Sequence, residues 1–405
     1  TKAPEIGSLR LDVRASIIII MNLLPNFFTR GIERIYPNVE AFKMRLATGE
    51  KLKIYFGIDP TGPTLHLGHA TVLLKLKELQ DAGHEVIILY GDFTAQIGDP
   101  SGKLSARVAL SAEAVNNNLK KYRKQIGKIL DLKKTIFKKN GAWLGKLKLG
   151  EILNLASEFT VSQMLERDMF AERQKAEQPI FLNEFFYPLL QGYDSVVREV
   201  DAEIGANDQT FNMLTGRTMI SKRGKEKFVI ATKLLVDASG KKMGKTEGNM
   251  VSFEDVPNEV YGKVMSWPDE LLALGFKICT RLGEEETKNL IAGNPRDAKM
   301  RLAKEITKLF YGEAKANKAE KNFVKVFQTK ELPNEIKEVR VVKGSLLADI
   351  LIQEKLVDSK TAFKNLIEGG AITINGETKI TDQWFKVEMT QIFRVGKKKF
   401  LKVLI

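Results

Sequence analysis

Apolar runs separated by polar punctuation divide the chain into a strand–helix–strand series, a helical stretch and a mixed tail. Ile54, Tyr55, Phe56 and Ile58 form an apolar strand that breaks at Asp59-Pro60-Thr61-Gly62-Pro63, where two prolines and a glycine forbid regular structure. Leu73, Leu74, Leu76 and Leu79 then recur at helical spacing. Residues 84–92 read as a β-branched buried strand ending in glycine, which makes a βαβ unit with a right-handed crossover. Helical patterns follow over Glu151–Gln174. The stretch Ala202–Gln209 follows a short strand and opens a helix, and Phe228–Leu235 reads as another strand. From about 250 to 330 the pattern is helical, over Val256–Met265, Glu285–Ala292, Ala298–Tyr311 and Ala316–Val326. The tail changes character: short helices at Ser345–Leu351 and Ser359–Glu368 precede a hairpin with an Asn375-Gly376 turn and further strands.

Candidate chemistry sits at the breaks. In such sheets ligands lie at the carboxyl ends of strands, where Gly57, Asp59, Gly91 and Asp92 emerge. A strand, a Gly/Pro loop and a helix start aim backbone N–H groups and a positive helix end at an anion. His66 and His69 stand three apart on one face of that helix start, and Gly68 leaves room for a flat ligand against the backbone. As a metal pair the two histidines would lack a third ligand nearby in sequence, and the loop could be an ordinary turn. Gln96 to Lys103 and on to Arg107 form a glycine loop with a carboxylate, Asp99, followed by cations. Tyr187, Gln191 and Asp194 fall at i, i+4 and i+7 within an apolar segment. Polar groups repeated on one helix face meet a ligand or a buried network. The Lys/Gly-rich stretch from Gly240 to Lys245 reads, alone, as a surface loop.

Taken together, Tyr-x-Gly-x-Asp-Pro-Thr followed by Leu-His-Leu-Gly-His over residues 55–69 resembles the HIGH-motif region of class I aminoacyl-tRNA synthetases. The fuller string resembles tyrosyl-tRNA synthetases. Lys242-Met243-Gly244-Lys245-Thr246 resembles their KMSKS loop, with Gly244 and Thr246 departing from the consensus. The resemblance covers roughly residues 27–405. It implies an α/β fold: a Rossmann-like class I synthetase catalytic domain with an inserted helical segment, then an α-helical domain and a small C-terminal α+β RNA-binding module. It also implies L-tyrosine, ATP and tRNA(Tyr) as substrates, Mg²⁺ accompanying the nucleotide, and a homodimer. By the same resemblance Tyr187, Gln191 and Asp99 hold the amino acid's ammonium, Asp194 and Tyr55 meet its phenol, and Gln209 orients its carboxyl group. Thr61 and His66 contact the departing phosphates and His69 the nucleotide region. Gly57, Asp59, Gly68, Gly205 and Asp208 belong to the ATP site, with Asp208 at the ribose. Lys103, Arg107, Lys242 and Lys245 close over the pyrophosphate. Ala206 stands where the family often has glycine. Tryptophanyl-tRNA synthetases share the fold but are not expected to carry both Tyr55 and Asp194, or this C-terminal module. A catalytically dead RNA-binding relative would not need His66, His69, Asp99, Lys242 and Lys245 intact.

Charge and composition adjust this picture. The net charge of +14 is lysine-heavy and suits a polyanionic partner such as RNA. Residues 120–148 carry eleven Lys/Arg and one acid, Asp131; such a run is either a solvated face or, by the resemblance, part of the insertion that forms the dimer interface and meets the tRNA acceptor arm. The single cysteine, Cys279, excludes an internal disulfide framework and reads as a buried small hydrophobe. No apolar run approaches the ~20 residues of a membrane helix, and the expected location is the cytoplasm. The expected domains are a catalytic part over 27–246 with its insertion at about 112–190, a helical anticodon-side part over 247–330, a linker over 331–340 and the RNA-binding module over 341–405. Residues 1–26 are expected to be an N-terminal extension, with Met21 the expected start, because Ile17–Ile20 is too short for a signal-peptide core.

Overall fold

Val86, Ile87, Ile88 and Leu89 are buried on both faces of one strand, as a central parallel strand requires. They lie in a computed structural model that describes residues 24, 26–99, 110–236, 250–328, 336–374, 378–396 and 399–405. Lys103, Arg107, Lys242, Lys245, residues 1–20, the Glu331–Glu335 stretch and the Asn375-Gly376 turn lie outside the described residues. The chain divides into two units, residues 1–312 and 313–405.

The first unit is built on a six-stranded sheet. Its strands are β1 (Ile32–Tyr36), β2 (Lys53–Ile58), β3 (Glu85–Tyr90), β4 (Thr135–Lys139), β5 (Ala202–Ala206) and β6 (Phe228–Thr232), in the order β1-β6-β5-β2-β3-β4. All neighbours are parallel except β1, which runs antiparallel to β6 at the edge. From β2 the chain moves outward to β3 and β4; from β5 it moves the other way, to β6. The boundary between β2 and β5 is therefore a topological switch point, where open α/β sheets bind ligands.

The expected βαβ unit is present, with its helix over Leu67–Asp81. His66 caps that helix in extended conformation. The last strand is shorter than its pattern suggested, ending at Thr232. Helices at Leu149–Ser157, Val161–Leu165 and Asp168–Lys175 follow β4, and Pro257–Met265, Leu272–Cys279, Glu284–Ala292 and Pro295–Tyr311 complete the unit.

Two helices beside the site, Leu182–Arg198 and Thr210–Ser221, approach each other at glycines. A Cβ on Gly192 would lie 3.2 Å from the Gly216 Cα. One on Gly216 would come within 2.6 Å of Lys227 Nζ and 2.8 Å of Ser195 Oγ.

The second unit begins with a helix over Glu313–Gln328. Beyond it come β7 (Lys337–Arg340), β8 (Ser345–Leu346), β9 (Ile372–Ile374), β10 (Thr378–Lys379), β11 (Lys386–Val387), β12 (Gln391–Val395) and β13 (Lys399–Leu404). Five of these form a sheet in the order β10-β9-β12-β13-β7, while β8 and β11 pair separately. Helices Leu347–Gln353 and Lys360–Glu368 bury Leu347, Leu351 and Phe363 in a core with Phe393, Leu401 and Val403 of the sheet. The first of these helices starts two residues later than its pattern suggested, because Ser345 and Leu346 pair with β11.

Replacing a helical glycine with alanine ordinarily gains about 0.5–1 kcal/mol. Gly216→Ala should reverse that sign and destabilise by about 1–3 kcal/mol, because the methyl would displace a buried ammonium with its bonds already made. The urea midpoint of the first unit's unfolding checks this; a raised midpoint would show that the helices can part without loss.

Candidate active site

At the switch point β2 ends in Gly57, Ile58 and Asp59. The Asp59 carboxylate tucks under Gly91, where a Cβ would lie 1.9 Å from its Oδ1. Only glycine fits there. Thr94 Oγ1 donates to Asp59 Oδ1 at 2.8 Å and the Tyr187 hydroxyl to Oδ2 at 2.9 Å. One carboxylate thus joins the ends of β2 and β3 to the Leu182–Arg198 helix.

Two connected chambers open above it. The outer one, about 850 Å³, is lined by Thr61, His66, Gly68, His69, Asp99, Ala206, Asp208 and Lys233. The inner one, about 460 Å³, is lined by Tyr55, Leu89, Asn140, Gln191, Asp194, Glu203, Gly205 and Met213. Gly57, Asp59, Tyr187 and Gln209 border both.

In the outer chamber the two histidines are locked by the backbone. His66 Nδ1 accepts from Gly68 N at 3.2 Å, and His69 Nδ1 accepts from His66 N at 3.2 Å. Their ring centroids are 4.0 Å apart. With Nδ1 accepting, each neutral ring carries its proton on Nε2. The helix they cap starts at Leu67, so its positive end faces the same space. Backbone bonds from Leu67 N to Val251 O (2.9 Å) and from Phe253 N to Leu65 O (3.0 Å) tie this turn to the segment beyond residue 249.

The inner chamber sets apolar walls, Leu89, Ile204 and Met213, beside amide and carboxylate groups. Asp194 is 3% exposed, with Oδ1 accepting from Trp143 Nε1 at 2.7 Å and Oδ2 from Asn140 Nδ2 at 3.1 Å. Each oxygen keeps a further lone pair for another donor. Burial pushes the Asp194 carboxyl well above the usual range, against the pull of its Asn140 and Trp143 bonds; the charges of Glu203 and Asp59 push the same way as burial. Asn140 also donates to Thr94 Oγ1 at 3.1 Å, which links Asp194 through Thr94 to Asp59. The Tyr55 hydroxyl lies 3.0 Å from Ser195 Oγ, and burial with the Glu203 and Asp194 charges raises it well above its ordinary value. Gln191 Nε2 donates to Glu203 Oε1 at 2.9 Å. Gln209 Nε2 donates to Asp99 Oδ2 at 2.7 Å, and its own oxygen accepts from Asn212 at 3.0 Å.

The polar stripe Tyr187, Gln191 and Asp194 faces this site, as its spacing suggested. Asp99 lines the outer chamber and Gln191 the inner one, with Tyr187 bordering both. Gly205, expected at the nucleotide, lines the inner chamber, and Ala206 takes the outer position. A Cβ on Gly205 would lie 3.1 Å from Met213 Sδ, so its bareness accommodates that side chain. Sequence reasoning missed Asn140, Trp143, Thr94, Ser195, Glu203 and Lys227. Glu203 had a signal: it is a charge at an interior position of an apolar strand. Among the described residues no three His, Cys, Asp or Glu side chains converge as a metal site.

A family model described as class I tRNA synthetases (W and Y) matches residues 47–328. A tyrosine–tRNA ligase of Thermotoga maritima is 44% identical over 369 residues, 89% of this chain and 92% of that protein. One from Carboxydothermus hydrogenoformans is 44% identical over 395 residues, 93% of this chain and 96% of that protein. In fold, the chain is similar to a C-terminally truncated mitochondrial tyrosyl-tRNA synthetase of Aspergillus nidulans (TM-score 0.65, 20% identity, 79% of this chain and 99% of that one). It is also similar to the Archaeoglobus fulgidus tyrosyl-tRNA synthetase solved with L-tyrosine (TM-score 0.60, 24% identity, 75% and 99%). A switch-point cleft capped by two backbone-locked histidines, with this extent of sequence identity, leaves one family: the chain belongs to the class I tRNA synthetases of the tryptophan and tyrosine group.

Proposed function

We propose that the protein is a tyrosine–tRNA ligase, which joins L-tyrosine to ATP as tyrosyl-adenylate and then to the 3′ end of tRNA(Tyr). The single observation that carries the choice of amino acid is Asp194. A buried carboxylate with acceptor capacity to spare, beside the Tyr55 hydroxyl, suits a group that both donates and accepts: a phenol hydroxyl does both, an indole N–H only donates and a bare ring does neither. ATP–pyrophosphate exchange with tyrosine, phenylalanine and tryptophan tests it, and comparable rates with tryptophan would overturn it.

No side chain becomes a covalent nucleophile in the first step. The tyrosine carboxylate oxygen bonds to the α-phosphorus as the bond to pyrophosphate breaks. The protein positions the reactants and neutralises charge building on the leaving group. Tyr187, Gln191 and Asp99 hold the ammonium, and Gln209 uses its remaining N–H on the carboxyl group. Asp208 takes the ribose, and Gly57, Asp59 and Gly68 shape the nucleotide's bed. The Nε2–H edges of His66 and His69, with Thr61, face the phosphates. Lys103, Arg107, Lys242 and Lys245 close over the pyrophosphate. Magnesium travels with ATP, held by its phosphates and water. In the second step the terminal tRNA hydroxyl attacks the tyrosyl carbonyl and AMP leaves.

The catalytic part spans 27–246, with its insertion at about 112–190, and the helical part from 247 to about 330 serves the anticodon side. Residues from about 337, where β7 already pairs with β13, to 405 form the small RNA-binding module, so the linker ends before Lys337; 336–405 carry thirteen Lys/Arg against eight acids, a balance suited to the tRNA backbone. Leu149, Leu153, Val161, Phe181 and Leu182 are exposed large apolar side chains in the insertion, which supports a homodimer joined there. Among the described residues no helix is long and apolar enough to cross a membrane. The site of action is the cytoplasm, where tRNA charging takes place.

Asp194→Ala should erode the preference for tyrosine over phenylalanine by roughly a hundredfold, the worth of a hydrogen bond to a buried charge; pyrophosphate exchange with both amino acids measures it. Lys245→Ala should slow adenylate formation severely and leave tyrosine affinity nearly unchanged, since its partner charge grows only toward the transition state. Single-turnover kinetics beside equilibrium binding separates the two effects. Replacing Leu149 and Leu153 together by lysine should shift the protein from dimer to monomer in sedimentation.

A further inference from the structure

Behind the inner chamber lies a buried ion pair to which the reaction assigns no part. The side chain of Lys227, just before β6, is 0% exposed and that of Glu203, on β5, is 2% exposed. Lys227 Nζ donates to Glu203 Oε2, to Ser195 Oγ at 2.7 Å and to Met213 O at 3.1 Å, so all three ammonium protons are used. Burial lowers the Lys227 ammonium from its ordinary value, while the Glu203 and Asp194 charges oppose that. A pair of this kind is a poor source of stability, because apolar side chains of similar volume serve as well or better. Yet Gly216 leaves the space that the ammonium needs. Its position suggests why it is there.

Glu203 Oε2 faces Lys227, and Oε1 accepts from Gln191 Nε2 at 2.9 Å. A carboxamide has one donor end and one acceptor end. With its nitrogen committed to Glu203, the acceptor that Gln191 brings to the chamber it lines is its carbonyl oxygen. The flipped amide would set oxygen against carboxylate oxygen and turn N–H donors toward a cation. Lys227 fixes Glu203 in the setting that forbids this. Tyr187 follows the same rule: it donates to Asp59 at 2.9 Å and so offers its oxygen as an acceptor.

The geometry points to the Glu203–Lys227 pair as a positioning device for ammonium recognition: Glu203 holds the Gln191 carboxamide with its oxygen toward the substrate's ammonium, and Lys227 holds Glu203. This rests on the assignment of Gln191, Tyr187 and Asp99 to the ammonium. Glu203→Gln keeps the shape but can present either end of an amide to Gln191, so the restriction is lost.

Pyrophosphate exchange with the full-length Glu203→Gln protein should show KM for tyrosine raised roughly tenfold or more, with kcat at saturating tyrosine within about threefold of wild type, as expected for loss of uniform binding. Inhibition by 3-(4-hydroxyphenyl)propanoate, which is tyrosine without its amino group, should be unchanged within about twofold. An unchanged KM, or equal losses for tyrosine and the des-amino compound, would overturn the positioning role. Should the lone Lys227 charge prevent folding, Glu203→Gln combined with Lys227→Met removes both charges, and the same comparison decides. Gln191→Ala, measured alongside, separates the two levels. If it too leaves KM unchanged, the ammonium assignment fails; if it raises KM and Glu203→Gln does not, only the positioning role fails.

Discussion

Three carboxylates, Asp59, Asp194 and Glu203, line one cavity at the carboxyl ends of a parallel sheet, and the site is arranged around satisfying them. A buried charge is tolerable only when donors and countercharges replace the water it has lost. Asp59 is met by Thr94 and Tyr187, Asp194 by Asn140 and Trp143, and Glu203 by Lys227 and Gln191. These donors come from both sides of the switch point and from the helix above it. The chamber therefore takes its form only when β2, β4, β5, β6 and the Leu182–Arg198 helix are all in place. Gly91 and Gly216 are the steric counterpart, since a side chain at either would occupy the space of a charged group or its partner.

This arrangement explains what could be read from the sequence. The βαβ unit announced itself through an apolar strand, a Pro/Gly break and leucines at helical spacing, and the histidines stood at a helix start that the same pattern located. The stripe of Tyr187, Gln191 and Asp194 was legible because a helix repeats its faces, and three polar residues in an apolar segment mark one of them. Most of their partners carried no such mark. Asn140 and Trp143 sit within a lysine-rich stretch that reads as a charged surface, and they reach Asp194 across more than fifty positions of chain. Glu203 is a charge within an apolar strand and Lys227 one of several in a charged run before the next, and a period cannot say which charge meets which. Gly205 shows the same limit: its neighbour Ala206 faces the outer chamber, and one position along a strand reverses the face.

The histidines serve the fold and the site with different atoms. Their Nδ1 atoms accept two backbone N–H groups at the start of a 15-residue helix, groups that would otherwise lack partners. That bonding also fixes which ring edge faces the chamber. A substitution here removes a helix cap as well as the proposed phosphate contact, so a loss of activity alone would not separate the two. Glutamine or asparagine can accept the same backbone bonds without an imidazole's second nitrogen in the same place, and so distinguishes them better than alanine.

The inner end of the cleft holds Asp194 and Glu203 with a single buried ammonium, and its outer end sets the positive start of the Leu67–Asp81 helix opposite Asp99 and Asp208. On the proposed reading, an amino acid whose ammonium meets the acceptors around Tyr187 and Gln191 turns its carboxylate outward, toward the helix start and the proposed phosphate site. The attacking and departing groups would thereby be aligned by fixed charges and dipoles before any bond changes. Because those charges belong to a closed hydrogen-bonded set, little reorganisation is required as negative charge migrates to the leaving group.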